Sequence, residues 1–185
     1  KSLVTVLSLF DYQTYDVDLQ LFANDGMFLS RVSPKVNLLP PLFPAEYKLN
    51  IRQAFLALIK KGHPRIALCR LLVSIAGFKG TMGERLVRMW NVEKHFIKPS
   101  KKEYDTVIAF MEGQPIYYAV TKVQCKNKIG FIHGDYIAMG LNKDFDTGFI
   151  EQLNALCTVS ESCKTALDQT FPTLSNKFHV IYNIV

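Results

Sequence analysis

The chain lacks the short motifs by which several large enzyme classes are found. It has no G-x-G-x-x-G fingerprint and no Walker A sequence, so neither a nicotinamide-dependent enzyme nor a P-loop ATPase is supported. No apolar run reaches the roughly 18 residues of a membrane-spanning helix; the longest, Ile66–Phe78, is interrupted by Arg70. The 185 residues are otherwise ordinary, with 49% apolar and 21% charged residues, which predicts one globular domain with a buried core.

Cysteine is present but lacks the spacing of a metal site. None of the four cysteines belongs to a CxxC or CxxH pattern, which argues against structural zinc. We interpret them as buried, reduced thiols of a cytosolic protein. They are Cys69, Cys125, Cys157 and Cys163.

The positive charge is concentrated in one segment. Residues 47–92 contain nine basic residues and one acid, Glu84, so they carry +8 while the rest of the chain carries −2. Such cationic, leucine-rich helices bind anionic membranes or phosphate-bearing ligands, although a solvated face that confers solubility has the same composition. No nucleic-acid recognition signature accompanies the charge. The cations expected at a membrane or phosphate are Arg52, Lys60, Lys61, Arg65 and Arg70.

Short apolar strands alternate with helical segments, which predicts an α/β fold with a mostly parallel sheet covered on both faces. The predicted strands are Val17–Phe22, Val36–Leu39, Val107–Phe110, Ile129–Ile132, Leu156–Val159 and Phe178–Tyr182. The predicted helices are Lys1–Phe10, Ala45–Lys61, Pro64–Ala76, Gly83–His95, one inside the βαβ unit, Phe145–Leu153, and one from the N-cap Ser160 to Thr170. A turn is expected at Asn24-Asp25-Gly26.

The βαβ unit at 105–136 carries the strongest functional signal. Glu112 and Gly113 follow its first strand, and His133 follows its second. Ligands of parallel sheets bind where the strands end, so we expect His133 to point into a crevice. Glu112 is either an acceptor for a substrate hydroxyl or a negative charge before the next helix. Gly113 allows the backbone to approach a ligand closely.

The loops after the second and third strands supply further candidates. Asp135 and Tyr136, which follow Gly134, either bind acceptor hydroxyls or cap the next element. Ser160 and Glu161 end the third strand, and helix capping is the expected role of Ser160.

Two D-x-D patterns, Asp16-Val17-Asp18 and Asp144-Phe145-Asp146, have the form of a divalent-metal site. We interpret Asp16 as the start of a strand, and the second pattern as negative charge near a helix N-terminus. No metal site is therefore predicted. The alternative hypothesis for the first pattern is a metal-dependent sugar transferase that uses Asp16 and Asp18, and it predicts that a chelator abolishes the activity.

Several segments together resemble the N-terminal half of bacterial family 4 glycosyltransferases, which assemble capsule, exopolysaccharide and lipopolysaccharide. The resemblance covers essentially the whole chain. The opening residues Lys1–Val4 also fit the family pattern, and the strand near Tyr15–Leu19 resembles the second strand of the family. The segments that carry it are Tyr104–Gly113, Lys128–Tyr136, Thr158–Glu161 and Val180–Asn183.

The resemblance implies a Rossmann-like three-layer domain that binds the acceptor in a two-domain (GT-B) enzyme. Such enzymes transfer a sugar from a nucleotide donor with retention of configuration, without a metal or other cofactor. His133 would reach the donor sugar, while the acceptor-binding and cleft-lining positions would be Glu112, Gly113, Gly134, Asp135, Tyr136, Ser160 and Glu161. The partners implied are a nucleotide sugar and a glycan or lipid-linked acceptor, at the inner face of the cytoplasmic membrane.

The chain departs from the family pattern in two respects. The nucleotide-binding half and its pair of glutamates seven residues apart are not in this sequence, so we expect residues 1–185 to be one N-terminal domain that is inactive alone. The usual first strand and its glycine-rich turn are also missing before Lys1. Since that strand lies near the sheet centre, its loss would leave edges open to self-association. The alternative function is a non-catalytic module that binds anionic lipid or another polyanion through residues 47–92.

Overall fold

A computed structural model describes residues 2–24, 26–77 and 79–183 of the chain. The α-helices are α1 (Ser2–Leu9), α2 (Ile51–Lys60), α3 (Pro64–Ala76), α4 (Met82–Glu93), α5 (Gln114–Lys122), α6 (Lys143–Ile150) and α7 (Glu161–Thr170). The strands are β1 (Asp18–Leu19), β2 (Asn37–Leu38), β3 (Tyr104–Ala109), β4 (Cys125–Ile132), β5 (Ala155–Thr158) and β6 (Phe178–Val180). Three 3₁₀ helices cover Leu29–Arg31, Ala45–Lys48 and Pro172–Lys177.

The strands form two separate parallel sheets among the described residues. A four-stranded sheet has the order β3-β4-β5-β6, and β1 pairs with β2 in a two-stranded sheet. In the larger sheet, Phe131 of β4 lies beside Cys157 of β5, which lies beside His179 of β6. All four strands therefore end on the same side of this sheet, and β3 and β6 are the edge strands of the sheet.

The helices that connect these strands pack on one face of the four-stranded sheet. Its core contains Ile116 from α5, Ile150 from α6 and Leu167 from α7, together with Ile132 and Leu156 from the strands. A strand order that advances in one direction produces this arrangement, because parallel crossovers are right-handed and each one places its helix on the same face.

The predicted α/β, Rossmann-like fold class with mostly parallel strands is confirmed. Helix α3 has the predicted bounds, and α7 begins after the predicted N-cap Ser160, whose Oγ accepts the N–H of Cys163 at 3.2 Å. The predicted helix Ala45–Lys61 is instead divided. It contains a 3₁₀ turn and then α2, which begins after Asn50 because that side chain accepts the N–H of Gln53.

The two N-terminal strands are much shorter than predicted, since only two residues of each make the parallel pairing. The predicted turn at 24–26 includes Asp25, and the predicted first helix includes Lys1; both residues lie outside the described part of the chain.

The chain divides into two compact units, residues 1–74 with 183–185, and residues 75–182. The expectation of one domain over 1–185 stays a prediction. Over the described residues, every helix is too short or too polar to pass through a lipid bilayer.

Candidate functional site

The carboxyl ends of β3, β4 and β5 form one rim, which we call the carboxyl rim, with Glu112, His133 and Ser160 following the three strands. The backbone N–H of His133 donates to Glu112 Oε2 at 3.2 Å, so these two predicted residues are neighbours. The Thr158 hydroxyl donates to the Ile132 carbonyl at 2.9 Å and ties the ends of β4 and β5 together. The rim is therefore connected by side-chain hydrogen bonds as well as by the sheet.

The imidazole of His133 is held in one orientation. Its Nε2 lies 2.9 Å from the Phe110 carbonyl oxygen, and because a carbonyl only accepts, Nε2 carries the proton and donates. The ring also packs against Phe110 and Phe131, with centroids 4.9 and 5.9 Å away. Among the described residues no hydrogen bond uses Nδ1, which leaves this nitrogen as an acceptor for a ligand.

Gly113 is required by the fold at this position. Its φ of 73° is unfavourable for residues with a side chain, and a Cβ would lie 2.8 Å from Leu86 Cδ1. The close approach predicted for Gly113 is thus an approach to Leu86. It lets α5 begin directly behind Glu112, whose carboxylate lies at the rim.

Two predicted site residues, Gly134 and Asp135, make contacts that stabilise the loop after β4. Asp135 is exposed, and its Oδ1 accepts the N–H groups of Ile137 and Ala138, each at 2.9 Å. Gly134 packs against Met139, whose sulfur would lie 2.9 Å from an added Cβ. Tyr136 is 1% exposed and belongs to the core, so its phenol does not reach the rim. Of the two roles considered for Asp135, the structure shows the capping role.

A buried acid of the second D-x-D pattern, which the sequence indicated only as negative charge near a helix N-terminus, lies behind this loop. Asp146 of α6 is 7% exposed, and it accepts the hydroxyls of Tyr117 at 2.5 Å and Tyr136 at 2.6 Å. Burial raises the pKa of Asp146, and the two tyrosine hydrogen bonds oppose that rise. Burial and then the charge of Asp146 raise the pKa of both tyrosines.

This tyrosine–aspartate cluster fixes the elements that carry the rim residues. Tyr117 belongs to α5, which follows Glu112, and Tyr136 belongs to the loop that follows His133. The sequence contained one usable signal, because Asp146 lies four residues before the buried Ile150 and so on the inner side of α6.

At the end of β5, Ser160 has the expected capping role, and its Oγ also lies 3.0 Å from Ser162 Oγ. Glu161 is an exposed acid in the first turn of α7, where it complements the helix dipole.

The five cations predicted to bind a membrane or phosphate differ in their exposure and in their partners. Arg52, Lys60 and Arg65 are exposed. Lys61 forms an ion pair with Glu46. Arg70 is half-buried and donates to the Tyr47 carbonyl at 3.0 Å and to Ser74 Oγ at 2.7 Å, so it holds its own helix in place and is not free for a ligand.

The first D-x-D pattern does not form an acidic cluster. Asp16 is exposed, whereas Asp18 Oδ1 accepts the side-chain amide of Asn37 at 2.8 Å. Within the described residues no group of three or more histidine, cysteine, aspartate or glutamate side chains is arranged to hold a metal ion.

Comparisons with protein-family models, with curated proteins and with solved structures find no match for this chain. Membership of the glycosyltransferase family therefore stays a prediction from the residues that carry the resemblance.

Proposed function

We propose that this chain is the acceptor-binding part of a retaining glycosyltransferase that uses a nucleotide-sugar donor in the synthesis of a bacterial surface polysaccharide. The observation that supports this function best is the pairing of Glu112 with His133 on the carboxyl rim of a parallel sheet, because ligands of such sheets bind at this end. The family resemblance supplies the reaction class.

Each residue of the pair has a defined chemical role in this proposal. The Glu112 carboxylate accepts a hydroxyl of the acceptor sugar, and its existing hydrogen bond from the His133 backbone holds it in place. The His133 imidazole, oriented by the Phe110 carbonyl, uses Nδ1 to bind a hydroxyl of the reacting sugar. No proton transfer is assigned to either residue.

The proposed setting is the inner face of the cytoplasmic membrane, with a lipid-linked sugar or a growing polysaccharide as acceptor. Transfer requires a nucleotide-binding half, so the 185 residues alone bind acceptor without transferring sugar. Detecting transfer from a nucleotide sugar by this chain would contradict that part of the proposal.

The test is a titration of ¹⁵N-labelled chain with a short-chain isoprenyl-pyrophosphate-linked monosaccharide, followed by amide NMR. We expect shifts at Gly113, His133 and Gly134, and affinity roughly three- to tenfold weaker in His133→Ala, since a hydrogen bond to a bound ligand contributes about that much. His179→Ala is the matched control, because His179 is exposed on β6. Unchanged affinity in His133→Ala would remove His133 from the site.

The alternative function is a non-catalytic module that binds polyanions through residues 47–92, supported by the +8 charge of that segment. The same titration separates the two functions. A module of this kind would bind the pyrophosphate through its basic helices, so the shifts would appear in α2 and α3 and a simple inorganic pyrophosphate would compete fully.

A further inference from the structure

Helices α2 and α3 expose apolar side chains on the sides that face solvent. Within residues 51–74 of these helices, six large apolar residues are between 37% and 59% exposed. They are Phe55, Leu56 and Ile59 of α2 and Leu68, Leu71 and Leu72 of α3.

These six residues are additional to the apolar residues that fold the two helices. The inner sides of α2 and α3 already bury Ala54, Leu58 and Ala67 in a small core, with Tyr47 and Ile66 packed against it. A helix on the surface of a globular protein normally carries polar residues on its outer side. The outer apolar residues therefore need an explanation beyond folding.

Cations lie among the exposed apolar residues, and acids do not. Arg52, Lys60 and Arg65 are exposed on or beside the same helices, and residues 47–76 contain no aspartate or glutamate. We call the six apolar residues and these three cations the docking face. Its charge complements an anionic partner, and its apolar side chains need a partner that also offers a nonaqueous environment.

We propose that the docking face binds the surface of an anionic phospholipid bilayer. The apolar side chains enter between the headgroups, and the three cations lie at the level of the lipid phosphates, as in interfacial amphipathic helices. This occupant combines both properties that the face requires. None of the carboxyl-rim residues belongs to the docking face, so bilayer binding does not depend on whether the chain serves sugar transfer.

The electrostatic part is tested by sedimentation of the chain with vesicles of phosphatidylglycerol and phosphatidylcholine. We expect the triple variant Arg52→Gln/Lys60→Gln/Arg65→Gln to partition on the order of 100-fold more weakly, since each cation near an anionic surface contributes about a factor of five. The matched control Lys98→Gln/Lys101→Gln/Lys102→Gln has the same net charge and removes three exposed lysines outside the face. Equal losses in both variants would show nonspecific attraction and overturn the proposal.

Insertion of the apolar side chains into the bilayer is tested separately with one introduced tryptophan per variant. We expect Leu56→Trp to shift its emission to the blue and to be quenched by brominated lipid, whereas Ile137→Trp is unaffected; Ile137 is 60% exposed but lies outside the face. The native Trp90 is 1% exposed and contributes the same background to both. Absence of quenching in Leu56→Trp would overturn insertion.

The competing occupant is a second copy of the chain, which sedimentation velocity detects. A dimer that Leu56→Gln and Leu68→Gln dissociate, together with no binding to vesicles, would assign the face to self-association and overturn the bilayer proposal. A monomer that binds vesicles, with weaker binding in both variants, supports it.

Discussion

Residues 75–182 contain a cluster of twelve buried apolar residues, whereas two clusters of residues 2–74 contain three buried residues each. The larger cluster unites one sheet with α5, α6 and α7, and it fixes the carboxyl rim. The smaller clusters accompany helices whose outer sides remain apolar and exposed. One unit therefore uses its apolar residues to pack the sheet that carries the carboxyl rim, and the other keeps many of them at the surface.

The largest effect is expected at Asp146, within residues 75–182. Asp146→Ala removes the acceptor of two buried phenols, those of Tyr117 and Tyr136, and each unsatisfied hydroxyl costs about 1–3 kcal/mol. We expect the free energy of unfolding to fall by about 2–5 kcal/mol, measured by urea denaturation.

Asp144→Ala is the control for this change, because Asp144 is an exposed acid in the same first turn of α6. Its loss weakens only the interaction with the helix dipole, by up to about 1 kcal/mol. Similar losses in both variants would contradict a special role for Asp146.

The other unit is tested within α2. Leu58 is fully buried and Leu56 is 59% exposed, although they lie two residues apart. Leu58→Ala should lower the free energy of unfolding by about 2–3 kcal/mol, near the lower end for buried leucines because a small cluster can collapse around the cavity. Leu56→Ala should change it by less than about 0.5 kcal/mol. Equal destabilisation would show that the outer side of α2 also supports the fold.

The smallest expected effect is a pH dependence of the free energy of unfolding that originates from Asp146. Because the folded-state pKa is raised above the ordinary value of 3.8, the folded protein binds this proton more tightly than the unfolded chain does. The stability contribution of Asp146 is therefore complete below pH 3.8 and is lost as the pH rises through the raised folded pKa. Asp146→Asn removes this titration, so the stability of the wild type relative to this variant should decrease as the pH rises.

Urea denaturation of both proteins from acidic to neutral pH measures this difference. The pKa of the exposed Asp105 and of Asp168 is lowered, chiefly by hydrogen bonds from Lys126 and Lys164; their contributions are lost as the pH falls, but they occur in both proteins and cancel. A relative stability independent of pH would contradict the raised pKa of Asp146.

Local sequence signals predicted the elements that their own residues delimit. Pro64 fixed the start of α3 and Ser160 the start of α7, because proline and serine act within one turn. The same locality explains the errors. Asn50 is a helix N-cap, but the apolar pattern continues on both sides of it and therefore predicts the interior of a longer helix.

The candidate site was predictable where it depends on topology, and less so where it depends on side-chain partners. The strand ends placed Glu112 beside His133, whereas nothing adjacent in sequence showed that Tyr136 bonds to Asp146. The sequence also contains a signal for the half-buried position of Arg70, since its spacing from Ile66 and Val73 places it on the inner side of α3. The prediction that Arg70 binds a membrane or phosphate rested on the positive charge of the segment alone.

The order of the four-stranded sheet has a consequence for how the protein forms. Each of the strands β4, β5 and β6 lies beside the strand that precedes it in the chain, so every pairing in this sheet is closed by a single helical crossover. During synthesis each emerging strand therefore meets a partner that the ribosome has already released, and assembly proceeds in one direction without waiting for a distant segment.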